Sequence, residues 1–157
     1  MRRMKLIQHV KEFAMKALGL LAILLTTSQV WSQGIVLPPD SIARLPAETM
    51  PTEAKVFSGR WEGKWGERMP HVLVVEEIKS ANEAVVLYAW QEPPVDNAWG
   101  AGWYRTTATI DGNTLRVPLR NGTKAWYEYL PDGTLKAGYL RPTSTSQSNA
   151  VLRKVQP

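Results

Sequence analysis

Residues 102–140 read GWYRTTATIDGNTLRVPLRNGTKAWYEYLPDGTLKAGYL, and this stretch decides the fold. Asp111-Gly112-Asn113, Asn121-Gly122 and Asp132-Gly133 punctuate it about every ten residues. Asn-Gly and Asp-Gly supply the positive φ angles that tight hairpin turns require. Between them the apolar residues alternate: Tyr104, Thr106, Ala108 and Ile110 on one side, then Leu115, Val117 and Leu119. Period two is the strand signature, whereas a helix repeats near 3.6. Parallel pairing would need crossovers of about a dozen residues or more, and the gaps are too short for them. The stretch therefore predicts consecutive antiparallel hairpins.

Working outward, the same period runs upstream. Phe57, Gly59, Trp61, Gly63 and Trp65 alternate with Ser58, Arg60, Glu62 and Lys64, which predicts a half-buried strand. Strand-like runs follow over His71–Ile78 and Ala84–Trp90, and another over Ala150–Val155. The expected fold is all-β, with about eight antiparallel strands in an up-and-down meander. Closing the sheet removes its edges, so a closed or nearly closed barrel is the first expectation. A strongly curved open sheet, or two short packed sheets, is the second.

The chain has 157 residues, a net charge of +5 and no cysteine. Residues 1–32 carry five basic residues and one acid, leaving 14 basic and 13 acidic residues for the rest. A nucleic-acid surface needs a clustered basic face, and none is apparent beyond residue 32. The N-terminal segment reads as a signal peptide: a basic stretch to Lys16, an apolar run Ala17–Leu25, and Val30-Trp31-Ser32 before an expected cleavage site at Gln33. The apolar run is shorter than the roughly 20 residues a membrane span requires. An uncleaved anchor is the alternative. The protein is thus expected to be exported, periplasmic or secreted, with no stable transmembrane segment after cleavage. Residues 33–55, with Pro38, Pro39, Pro46 and Pro51, read as an extended arm or linker in which Asp40 could cap a short helical turn. Residues 56–157 form the expected barrel domain. The absence of cysteine excludes disulfides and thiolate chemistry, so the core alone must hold the fold.

Gly59-Arg60-Trp61 and Gly63-Lys64-Trp65 each resemble the Gly-x-Trp of the first lipocalin strand, and with the strand count the chain resembles the calycin group of lipocalins, fatty-acid-binding proteins and avidins. The resemblance implies a small barrel around one ligand. It also implies that a basic residue of the last strand, here Arg153, packs over a Trp to close the barrel, with Trp61 and Trp65 as structural partners. The lipocalin disulfide is absent and the hairpins are short for that family.

His71 is the one histidine beyond residue 32, placed after Pro70 where a surface imidazole is ordinary. A metal site needs three or four convergent ligands, and a catalytic triad would have to use this histidine, so neither is expected. No cofactor is expected either. Glu76 and Glu77 are adjacent, so one of them would point inward in a regular strand. Glu128 shares a face with Trp126.

Aromatic residues are the most prominent feature. The connection Gln91–Gly102 is the longest between strands and is flanked by Trp90, Trp99 and Trp103. Long loops in compact domains are often functional. The first functional expectation is a non-enzymatic binding protein whose small apolar or amphipathic ligand is lined or covered by Tyr88, Trp90, Trp99, Trp103, Arg105, Tyr127 and Tyr129. The second is a module that recognises a glycan or envelope component through exposed aromatics. The third is an enzyme using carboxylates alone, such as Glu76 or Glu128.

Overall fold

A computed structural model describes residues 34–66, 68–91 and 100–155. The expected signal segment and Trp99 lie outside the described residues. Eight strands follow one another: β1 (Gly59–Trp65), β2 (Met69–Ser80), β3 (Glu83–Trp90), β4 (Gly102–Asp111), β5 (Thr114–Pro118), β6 (Lys124–Tyr129), β7 (Leu135–Leu140) and β8 (Ser148–Val155). Each pairs antiparallel with the next, and β8 returns to β1, so the sheet is a closed barrel in up-and-down order. The closing seam has four pairs, from Arg60 opposite Val155 to Gly63 opposite Leu152. Gly112 and Gly133 take φ of 58° and 80°, the left-handed region their turns demand. The turn between these two, at Asn121-Gly122, differs from a two-residue hairpin. Arg120–Gly122 forms a 3-10 turn that lifts Arg120 to the barrel's end.

One end, here called the base, is filled. Phe57 and Trp61 are fully buried, and the Trp61 indole N–H donates to the Phe57 carbonyl at 2.8 Å. Tyr129 meets both rings edge-on at 6.3 Å. The helix lies at α1 (Thr52–Lys55), not at Asp40, and its Ala54 is buried in the core. The cation over Trp61 is Lys154, its Nζ 5.2 Å from the ring centroid. Arg153 stands one residue away, exposed and opposite Glu62. Strand parity explains the difference. Lys154 pairs with Trp61 and shares its face, so Arg153 must point out.

A β-bulge in β2, between Val75 and Glu77, resets the phase of the strand. Val75 and Ile78 both stay in the core, and Glu76 and Glu77 both fall outside. The strand before the bulge is apolar on both faces. Val72, Val74, Leu87 and Ala89 form a second, outer cluster. Residues of the Pro-rich arm cover it: Ile35 and Leu37 pack on the cluster, and the Arg44 N–H donates to the Glu76 carbonyl at 2.8 Å. The arm is thus a strap along the barrel wall.

Arg105 fastens that strap. It reaches Glu76 through Nε (2.7 Å) and Nη2 (3.0 Å), and Asp40 through Nη2 (3.2 Å). The hydrogen bond from Arg105 holds the Asp40 carboxyl below its ordinary pKa. The Glu76 side chain is only 10% exposed, and this guanidinium holds both of its carboxylate oxygens. Replacing Arg105 by Leu should lower stability by about 1–3 kcal/mol, less than for a fully buried pair because Arg105 is partly solvated. Urea midpoints would read the loss. Adding Glu76→Leu should recover most of it, since the stranded charge is then gone; no recovery would mean that the ion pair is not what matters.

Candidate functional site

The other end of the barrel, the mouth, is left open by the described residues. The inward positions of β2, β3, β4 and β7 at that end are Met69, Tyr88, Trp90, Tyr104 and Tyr139, and with Leu119 they wall a cavity of about 290 Å³. Parity dictates this set. Tyr88 and Trp90 are two apart on β3, and Tyr104 pairs with Tyr88 on the same face. The Trp90 indole N–H donates to the Gly100 carbonyl at 2.8 Å, which pins the ring at the rim. Two guanidinium groups flank the opening. Arg120 lies 4.9 Å from the Tyr104 ring centroid, and Arg141 lies 5.7 Å from that of Tyr139. Arg141 Nη2 also donates to the Tyr139 hydroxyl at 3.3 Å. Both arrangements place guanidinium groups over π faces at the mouth.

Beneath the cavity lies a layer of buried aromatic residues with polar atoms. The Trp65 indole N–H donates to the Tyr88 hydroxyl at 2.9 Å. His71 stacks on Trp65 with centroids 4.4 Å apart and an interplanar angle of 16°. It is 1% exposed, not a surface imidazole. Among the described residues, neither His71 nitrogen has a hydrogen-bond partner, and neither does the Tyr127 hydroxyl. Burial lowers the His71 pKa to about 3, so the ring is neutral at pH 7. Burial likewise pushes the Tyr88 and Tyr127 phenols up, which leaves them un-ionised. The site therefore offers aromatic walls, neutral phenols and two rim cations. It can surround an apolar body and hold a polar or anionic end at the surface.

The expected site residues separate into three groups. Tyr88 and Trp90 line the cavity, and Tyr127 is buried in the layer below it. Tyr129 also points inward but at the base, against Phe57 and Trp61. Trp103 and Arg105 point outward: Trp103 is 45% exposed, and Arg105 serves the strap. Met69, Tyr104, Leu119, Arg120, Tyr139 and Arg141 belong to the cavity without having been expected there. The alternation of Tyr104 with Ile110 signals Tyr104. Arg120 and Arg141 sit in turns, where no period reports direction.

Glu128 pairs with Thr114 and Lys136 on the outer face, and Asn113 Nδ2 donates to it at 3.4 Å. With Glu76 also outside, neither carboxylate proposed for acid chemistry faces the interior. Among the described residues, no cluster of three or more His, Asp or Glu could hold a metal ion, and no helix is long and apolar enough to cross a membrane. The sequence matches no protein-family model and no curated protein sequence.

Proposed function

We propose that this chain is an exported, calycin-like binding protein that holds one small apolar or amphipathic molecule in the barrel mouth, without chemical turnover. The observation that carries this reading is the aromatic-walled cavity rimmed by Arg120 and Arg141. The barrel supports it, because eight strands enclose just enough room for side chains or one small ligand. The apolar part of the ligand would pack on Trp90, Tyr104 and Tyr139. Its polar end would meet the rim guanidinium groups, whose planar donors suit an oxyanion.

Anilinonaphthalene sulfonate, an aromatic body with one anionic group, is a direct probe. We expect saturable binding of one molecule per chain, with quenching of tryptophan emission. Leu119→Trp should fill the cavity and weaken that binding by about tenfold or more, equivalent to about 1.4 kcal/mol. Binding that is unsaturable, or equally strong in Leu119→Trp, would overturn the reading. Native mass spectrometry of protein purified without denaturation supplies the complementary test, since a carried ligand appears as mass that leaves on unfolding.

A further inference from the structure

We propose a second binding site on the outer wall of β5, β6 and β7, specific for an acidic saccharide. A groove of about 800 Å³ crosses this wall, and Trp126 is one of the residues that line it. Trp126 is an outward residue of β6, paired across the sheet with Arg116 on one side and Gly138 on the other. A Cβ at position 138 would run into the indole six-membered ring and the Gln147 amide. The indole therefore lies over the glycine, with most of its surface covered and the remainder exposed to the groove. What remains is an aromatic platform in a groove, held flat by the missing side chain beneath it.

Among the described residues, Arg116 and Lys124 line the groove, and no carboxylate does. Arg116 meets Asp111 at 3.4 Å, but both side chains are more than half exposed, so that contact is weak and an anionic ligand can compete with it. Gln147 donates to Asn149 at 2.6 Å, which orients its amide in the groove. The C–H face of a pyranose ring packs on an indole, burying apolar surface on both. A carboxylate on that ring accepts from a guanidinium or an ammonium. Hydroxyls find the Gln147 amide and the Ser144 hydroxyl. An acidic sugar uses all of these groups together.

Two other anionic partners fit less well. An acidic peptide commonly docks by adding a strand to a sheet edge, and this closed barrel has no edge to offer. A single-stranded nucleic acid stacks successive bases on several aromatics along a basic track, whereas this groove has one.

Calorimetric titration of the purified protein with a galacturonic acid trimer, at low salt, tests the proposal. The control ligand is the same trimer as its neutral methyl ester. We expect saturable binding of the acid, and binding of the ester weaker by about tenfold. Trp126→Ala should weaken the acid by about tenfold. Should Trp126→Ala fail to fold, the exposed pair Arg116→Gln and Lys124→Gln keeps the test open, with the same loss expected. None of these changes should alter binding of anilinonaphthalene sulfonate in the mouth. Absence of binding, equal binding of the ester, or indifference to both sets of substitutions would overturn the proposal. So would tighter binding of an oligothymidylate through Trp126, which would make the groove a nucleic-acid site.

Discussion

Acidification from pH 8 to pH 4.5 should destabilise the barrel by about 2–3 kcal/mol through one side chain, His71. The imidazole is closed into the layer under the mouth, stacked on Trp65, with both nitrogens unpartnered among the described residues. Burial sets its folded pKa at about 3 against an ordinary value of 6.5. Above pH 6.5 the ring is neutral in both states and contributes no pH dependence. Between those two values the unfolded chain binds one proton that the folded chain does not. Stability then falls as pH falls, by about 1.4 kcal/mol per pH unit, until the folded state protonates as well. Surface carboxylates add their own acid sensitivity, so the decisive quantity is a difference between two proteins. His71→Phe keeps a flat ring against Trp65 and removes the titration. Urea midpoints of the native protein and the variant should diverge below pH 6.5, with the variant the more stable. Parallel curves would show that the ring gains a proton or a partner without unfolding.

Gly63→Ala should break the fold's closing seam. A methyl group at this position would stand 2.5 Å from the Val151 carbonyl oxygen and 2.9 Å from Leu152 Cγ. The first contact is with backbone, which cannot swing aside as a side-chain end can. Gly63 and Leu152 form the last of the four pairs that join β1 to β8. Relief therefore means separating the strands that make the sheet a barrel. Inserting a methyl into a packed site commonly costs about 1–3 kcal/mol, and this position belongs at the upper end because the obstacle is main chain. Gly34→Ala is the control: no atom lies within 4 Å of a Cβ there, and a change within about 0.5 kcal/mol is expected. Faster amide exchange confined to β1 and β8 would place the damage at the seam. A midpoint unchanged from the native protein would mean that the strands tolerate a wider approach than their spacing implies.

The strand count and antiparallel order were legible in the sequence because turn chemistry is local. Gly112 and Gly133 need positive φ wherever they stand, and two-residue alternation follows from the pleat alone. The site was legible only as far as that alternation was followed. Tyr104, Thr106, Ala108 and Ile110 share one face, which places Trp103 and Arg105 on the other; grouping those two with Trp90 runs against the phase. The bulge at Glu76–Glu77 has no local signature, since an extra residue becomes visible only against its partner strand β3. His71 looked ordinary because a residue after proline at a strand start is exposed in most settings, and only closure of the barrel buries it. Arg120 and Arg141 took their direction from turns, and the Pro-rich arm took its place from Arg105, fifty residues or more away in sequence. Long-range pairing of this kind leaves no periodic trace.

The filled base and the open mouth lie at opposite ends of the same strands. Trp61 and Trp65 are four residues apart on β1, about 13 Å along the strand. Changes separated by such a distance usually add without interfering. The architecture can therefore accept new occupants without renegotiating its own foundations: substitutions at Met69, Trp90, Tyr104, Leu119 or Tyr139 reshape what enters, and Phe57, Trp61 and Tyr129 continue to hold the far end shut. A fold divided in this way is free to diversify its cargo while its architecture stays unchanged.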